Sequence, residues 1–594
     1  MLIRRSVMAA PQILVLIVQV RVLAAERGGR VRSQSGSGYG VTAVRTARGR
    51  TGDNRYSGDA AVPLGRGAQQ RECQGIVTAS EQHFSDSNGP ASAGSNADHA
   101  PVAAVIVLAA GQGTRMRSAL PKVMHEIAGK PLLWHALRAA GRISPQRLIA
   151  VIGHGREQVQ EYLSGAADLA ALPIATAVQD EQKGTGHAVQ CALSVTGPLT
   201  GTVIVSYGDV PLLRGETLRA LAAEHQRSGN AVTVLTAVVP DAAGYGRVTR
   251  TDSGAVTAIV EHRDADAATR EIREINTGVY AFDGALLTEL IGKLKADNAQ
   301  GELYLTDVVH LAVAAGRPVG ALVAENAAET EGVNDRVQLA EMAGRLRADL
   351  VRRAQLAGVT VIDPATTYLH ADVAIGEDSV ILPGTHLEAG TVIGAGCTIG
   401  PDTTLIDCRV DDGASVVRSH CQGAHIGVGA QVGPFTHLRP GSDLREGAVV
   451  GAFVEVKKAV IGAGAKAHHL AYLGDAAVGP GANIGAGVIT ANYDGVHKSA
   501  TVVGAQSFVG SNSTLVAPVS IADGAYVAAG SVITDDVAAG DMAVARGHQH
   551  NSAGWVLRRR SGTPSAAAAE AANGAGAAGA VTSSADLEKG HPAP

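Results

Sequence analysis

Two hydrophobic periods divide the chain. Between Ala103 and about Arg336, short aliphatic runs alternate with longer segments of mixed polarity. Val105–Leu108, Leu148–Ile152, Val203–Val205 and Val232–Val238 are almost wholly apolar, as strands covered on both faces are. Their alternation with helical segments predicts an α/β layer on a mainly parallel sheet. From Leu339 to Leu356 apolar residues recur at helical spacing amid dense charge, which predicts a linker helix. After Gly358 the period becomes six. Ile375, Ile381, Leu387, Ile393, Ile399 and Leu405 fall at successive sixth positions, as do Val503, Val509, Leu515, Ile521, Val527 and Ile533. Ile426, Val432, Leu438, Leu444 and Val450 lie between. No helix has that repeat. A β-solenoid has it, because each hexad forms one flat side and turns one aliphatic side chain inward.

The flanks read differently. Residues 1–100 are rich in Arg, Gly, Ser and Gln, a polarity that resists core formation. Arg4-Arg5 followed by Ile13–Val18 resembles a signal peptide with Val22–Ala25 as cleavage site, but the apolar stretch is short and Gln19 and Arg21 interrupt its exit. The reading taken is a disordered extension upstream of the true start. The chain therefore parses as 1–100 extension, 101–336 α/β domain, 337–357 linker helix, 358–560 solenoid and 561–594 disordered tail, the last rich in Ala, Gly and Ser. At 594 residues several cores are expected. A net charge of −5 leaves no nucleic-acid footprint, and no apolar run is long enough for a membrane span. Five cysteines without a Cys-x-x-Cys pair suit a reducing compartment.

Chemistry gathers where the first strand ends. Leu108-Ala-Ala-Gly-Gln-Gly-Thr-Arg-Met continues to Leu120-Pro-Lys122. Gly111 and Gly113 allow close backbone approach to phosphate oxygens, and Arg115 and Lys122 place fixed positive charge beside them. The pattern is neither a P-loop nor a dinucleotide fingerprint. Gln179 to Ala188 supplies a second narrow loop at Gly184-Thr185-Gly186, and Val203–Leu212 brings Tyr207-Gly208-Asp209 to a strand end. A hard cation is expected at Asp209, since Mg²⁺ takes one or two carboxylates and shares the phosphates. In the solenoid the phase breaks between Val450 and Val503, and Arg439, Lys457, His468, His469, Tyr472, Asn492 and Tyr493 concentrate nearby. A histidine suits general-base work, and His468 and His469 compete for that role.

The first stretch resembles the signature of sugar-nucleotide pyrophosphorylases. With Gly244-Tyr-Gly-Arg247, Ile259-Val-Glu-His262, Ile275-Asn-Thr-Gly278, Gly332-Val-Asn-Asp335 and His468-His-Leu-Ala-Tyr-Leu-Gly-Asp475, the ordered set resembles the bifunctional UDP-N-acetylglucosamine pyrophosphorylase and glucosamine-1-phosphate N-acetyltransferase (GlmU) family over residues 102–555. The resemblance implies a Rossmann-like nucleotidyltransferase domain, then a left-handed parallel β-helix, usually trimeric. It implies acetylation of glucosamine-1-phosphate by acetyl-CoA, then uridylyl transfer from UTP to N-acetylglucosamine-1-phosphate with Mg²⁺, in the cytoplasm. UTP and product would meet Leu108, Ala109, Ala110, Gly111, Lys122, Gln179, Gly184, Thr185, Tyr207, Gly208, Asp209, Gly246, Glu261, Asn276 and Asn334, with Asp209 and Asn334 holding the metal. Arg115 and Lys122 would be catalytic there, and His469 in the solenoid. Arg439, Lys457, Tyr472, Asn483 and Lys498 would take the sugar phosphate. Ala486, Asn492, Tyr493, Ser511, Ala529 and Arg546 would take acetyl-CoA. Gln112 stands where the family more often has lysine, which weakens triphosphate binding but leaves Arg115 and Lys122, and Ala471 and Ala491 depart from the family's commoner residues, which leaves the acetyl site tuned rather than lost. Two rivals stand beside this reading: a single-activity pyrophosphorylase with a purely structural solenoid, and a binding scaffold without catalysis.

Overall fold

The computed structural model describes residues 100–252, 254–296 and 301–579. Cys73 and nearly all of the N-terminal extension lie outside the described residues. A sheet forms from β1 (Ala104–Ala109), β2 (Leu148–Ile152), β3 (Ile174–Val178), β4 (Thr202–Tyr207), β5 (Val232–Val238), β6 (Arg247–Arg250), β7 (Val256–Val260), β8 (Glu274–Asp283) and β9 (Val319–Val323). The strand order is β9-β5-β8-β4-β1-β2-β3, with the β6–β7 hairpin attached to β8. Neighbours are parallel except β8, which is antiparallel to β4 and β5. The sheet is thus mixed. Between β5 and β8 lie the β6–β7 hairpin and the single helical turn Ala267–Arg270, with no long crossover helix, and β8 runs in the opposite sense.

Helices cover both faces because alternate strand residues face opposite ways. Ala104, Ile106 and Leu108 pack with α3 (Thr185–Thr196), α5 (Gly284–Ile291) and α6 (Asp307–Ala314). Val105, Val107 and Ala109 pack with α1 (Leu132–Gly141), α2 (Arg156–Gly165) and α4 (Gly215–Ser228). His135 on α1 is buried, and its Nε2 donates to the Ile127 carbonyl at 3.0 Å. Burial lowers its pKa to about 4. The unfolded chain takes the proton first as pH falls, so His135 stabilises the fold fully above about pH 6.5 and loses that contribution toward pH 4. The full loss is about 3 kcal/mol, about 2 of it between pH 7 and 5. Denaturant titrations of His135→Gln should show a shallower loss of stability over that interval than the wild type, and equal slopes would contradict the assignment.

Beyond Gly358 the chain winds into a three-sided parallel β-helix. One face runs from Thr360–Val361 to Met542–Ala543, a second from Tyr368–Leu369 to Val532–Ile533, and a third from Ala374–Ile375 to Val519–Ile521. The hexad residues Ile381, Leu387, Ile399, Leu438 and Val509 are fully buried along its axis. The expected break after Val450 is smaller than the phase suggests. Val456, Ile461, Ala467, Leu473, Val478, Ile484 and Thr490 continue the inward ladder, and spacings of five, as from Val456 to Ile461, shift the phase without exposing it. The larger departure is the excursion 492–500, between strands Ile489–Ala491 and Thr501–Val503.

Helix α7 (Arg336–Leu356) joins the two parts. Met342 and Leu346 pack on Met116, Ile127, Leu132 and Val333, while Val351 enters the solenoid core. Lys130 adds an ion pair to Asp372 of the first coil at 3.0 Å. The tail differs from expectation: after α8 (Trp555–Arg559), Pro564–Gly579 forms α9. Its alanines have high helix propensity, proline is tolerated at its first position, and Thr563 Oγ1 accepts from Ala566 N. No described helix is long and apolar enough to cross a membrane.

Candidate active sites

The carboxyl ends of β1 to β4 carry the predicted polar loops side by side, where ligands gather in such sheets. Gly208 N donates to Leu108 O at 2.9 Å, while Ala110 O accepts from His154 N and from Gln182 Nε2. Ala109 and Ala110 are buried, and nothing of the protein lies within 4 Å of where a Gly111 side chain would start. Gly113 adopts positive φ, and a Cβ there would meet Lys122 Cβ at 2.5 Å. That close approach lays Lys122 across the loop, where its Nζ bonds Asp209 Oδ2. Val333 N donates to Asp209 O at 2.9 Å, which brings the 332–335 turn to the same place. Asp335 caps α7 by accepting from Val337 N and Gln338 N, and Gln338 Oε1 accepts from Asn334 N at 2.8 Å. Asn334 is thereby fixed, and its Oδ1 accepts from Arg115 at 2.9 Å. Arg115, Lys122, Asp209 and Asn334 form one polar group. Asp209 and Asn334 offer a carboxylate and an amide oxygen, each already facing a cationic side chain, and this hard-oxygen pair fits Mg²⁺.

Across the cleft, Gln179 is buried with its Nε2 donating to Gly184 O at 3.0 Å. Gly184 has φ of 99°, and a Cβ would lie 2.6 Å from Leu303 O, so only glycine fits. Thr185 Oγ1 accepts from Leu305 N. Tyr207 packs against Gly278, and burial together with Asp209 and Glu261 raises its phenol, which stays protonated. Asn276 N donates to Gly246 O, and its Oδ1 accepts from Gly278 N and Tyr280 Oη, both at 3.0 Å. Glu261 lies beside Gly246. Its carboxylate reaches solvent at the cleft mouth, yet crowding by protein, then Asp264 and Asp307, raises its pKa.

On the solenoid the predicted residues fall into two adjoining groups. Arg439 N donates to Val456 O, which sets Arg439 beside Lys457, and Lys457 pairs with Gly474. Tyr472 folds its ring over Gly474, where a Cβ would overlap the phenol. Arg439 pairs with Glu455 at 2.9 Å and Lys457 with Asp475 at 3.9 Å, while Asp475 also accepts from Asn492. The second group runs along one corner. Gly487 N donates to His469 O, Asn512 N to Ala486 O, Gly530 N to Ser511 O, and Arg546 to Ala529 O. His469 therefore stands at the head of the column Ala486, Ser511, Ala529, Arg546. His468 precedes it on the flat face, with its backbone against Gly451. Both imidazoles are exposed. Asn483 lies on that flat face between Lys466 and Phe508. Tyr493 and Lys498 bridge each other in the 492–500 excursion. Ala471 is buried in the solenoid core, so its departure from the family does not reshape the acetyl site directly.

Sequence reasoning passed over Gln182, Gln338, Glu455 and Asp475. These hold the candidates in place, and Gln182, Glu455 and Asp475 stand inside the polar stretches of the sequence, whereas Gln338 does not.

Comparison with known proteins agrees with this division. Residues 105–272 match the MobA-like NTP transferase domain, 372–407 the bacterial transferase hexapeptide of six repeats, and 500–535 the hexapeptide repeat of succinyl-transferase. The chain is 54% identical over 471 residues to "Bifunctional protein GlmU" of Streptomyces coelicolor, covering 79% of this chain and 97% of that protein. It is 50% identical to the protein of that name from Corynebacterium glutamicum (79% and 97% covered) and 51% identical to that from Paenarthrobacter aurescens (79% and 94%). An α/β nucleotidyltransferase domain followed by a hexapeptide β-helix, at this identity and over nearly the whole of each relative, places the chain in the GlmU family of bifunctional proteins.

Proposed function

We infer that the chain makes UDP-N-acetylglucosamine in two steps at two sites, for peptidoglycan and lipopolysaccharide synthesis. At the solenoid corner the amine of glucosamine-1-phosphate attacks the thioester carbonyl of acetyl-CoA. His469 takes the amine proton, the C–S bond breaks, and CoA leaves as the thiol. Arg439 and Lys457, held by Glu455 and Asp475, meet the sugar phosphate with Tyr472, Asn483 and Lys498. Ala486, Asn492, Tyr493, Ser511, Ala529 and Arg546 line the acetyl-CoA side. The observation that carries this reading is the convergence of His469 with the Ala486–Ser511–Ala529–Arg546 column.

In the α/β cleft a phosphate oxygen of N-acetylglucosamine-1-phosphate attacks the α-phosphorus of UTP, and pyrophosphate leaves. Leu108 to Gly111 and Gly208 cradle the nucleotide. Gln179, Gly184 and Thr185 receive uracil, and Tyr207, Gly246, Glu261 and Asn276 bound the sugar side. Arg115 and Lys122 bear the charge that develops, Lys122 exchanging Asp209 for phosphate. Asp209 and Asn334 would hold Mg²⁺, which offsets charge on the triphosphate oxygens.

The active assembly is a homotrimer in the cytoplasm, where UTP and acetyl-CoA are available. Phe435, Phe453 and Leu470 support a covered corner: all three are exposed along the edge that carries His469, the two phenyl rings stacked at 5.2 Å. Purified chain given glucosamine-1-phosphate, UTP and Mg²⁺ should release little pyrophosphate until acetyl-CoA is added. Equally fast release without acetyl-CoA would overturn the order of steps.

A further inference from the structure

Gln179 is held by more than the loop it faces. Its Nε2 donates to two acceptors, Gly184 O at 3.0 Å and His187 Nδ1 at 3.2 Å. An amide nitrogen has two hydrogens, so both are consumed. Oε1 is left without a partner among the described residues, and it is not sealed from the cleft. His187 can accept at Nδ1 only as the tautomer protonated at Nε2, and Nε2 lies 3.7 Å from Cys191 Sγ, one turn further along α3. Donation thus runs outward from Gln179, to Gly184 on one side and through His187 to Cys191 on the other.

We propose that His187 is a positioning residue that sets which pyrimidine the nucleotidyl-transfer site accepts. The inference rests on the reading that Gln179 receives the base. Uracil carries a hydrogen on N3 and needs an acceptor opposite it. Cytosine has a bare N3 and needs a donor. With both hydrogens tied back, Gln179 presents only Oε1, which matches uracil and leaves cytosine facing an unpaired acceptor. Without His187 the amide keeps one of two anchors and can turn, presenting NH₂.

The test compares kcat/KM for UTP and CTP in wild type, His187→Phe, His187→Asn and Gln179→Ala, with the thermal unfolding of the same preparations reporting that the α/β domain of each is folded. Phenylalanine fills the space but cannot accept, and the UTP-over-CTP preference should fall about tenfold, chiefly through better use of CTP. Asparagine places an oxygen near the Nδ1 position and should restore most of the preference. A preference unchanged in His187→Phe but lost in Gln179→Ala would overturn the positioning role. A preference unchanged in Gln179→Ala would instead overturn the base-site reading on which it rests. Equal loss for both nucleotides in His187→Phe would mean that His187 only packs the start of α3.

Discussion

Alanine at His469 should lower CoA release with glucosamine-1-phosphate by about 10²–10⁴-fold and leave pyrophosphate release from UTP and N-acetylglucosamine-1-phosphate unchanged. Two features set the sign and the selectivity. The imidazole is exposed at the corner shared with Ala486 and Ser511, so its removal costs no core packing. The α/β cleft lies in a separate core, joined to the solenoid by α7 and by first-coil contacts that include Lys130–Asp372 and Ala371 N to Ala128 O. His468→Ala is the internal control. That residue lies on the flat face with its backbone against Gly451 and its side chain exposed, and its loss should change acetyl transfer by less than about threefold. If His468→Ala were the silent enzyme and His469→Ala the active one, the base would be reassigned. If either variant lost both activities, the two sites would not be independent.

The second large effect is expected at Asp209. Asp209→Asn should reduce uridylyl transfer by about a thousandfold or more while acetyl transfer persists. The carboxylate has two duties: it bonds Lys122 in the ligand-free fold, and it would supply the charged oxygen of the metal site with Asn334. Asparagine keeps the shape and loses the charge, so Lys122 has no partner to exchange and the metal has only neutral oxygens. A variant within threefold of wild type, at the same Mg²⁺ concentration, would remove Asp209 from the mechanism.

The sequence carried the two architectures unevenly. Buried strands such as Leu148–Ile152 were readable because covered strands are apolar at every position, and the observed strand has the same bounds. The reversal of β8 was not, since strand direction depends on what structure the connection forms rather than on the strand's own composition. In the solenoid the hexad was clear while it stayed in phase. It was lost where a corner shortens by one residue, because periodicity registers a shift as an ending although the inward ladder through Ile461 and Leu473 is unbroken. The Ala-rich tail shows the reverse error. Low complexity reads as disorder, whereas in the described part of the tail alanine's helix propensity and the turn at Thr563 produce α9, and residues 580–594 lie outside the described residues. Among site residues, cations and histidines were legible as chemistry. Their holders, Glu455, Asp475 and Gln338, were not, since residues that matter through a neighbour carry no pattern of their own.

The central claim is that one chain carries two complete active sites. It is tested most directly by following thiol release from acetyl-CoA with glucosamine-1-phosphate in the absence of UTP, beside pyrophosphate release from UTP and N-acetylglucosamine-1-phosphate in the absence of acetyl-CoA. Both should proceed in one preparation at rates typical of enzymes. Pyrophosphate release without any thiol release would contradict the account, and would leave the β-helix as a scaffold for a single-activity nucleotidyltransferase.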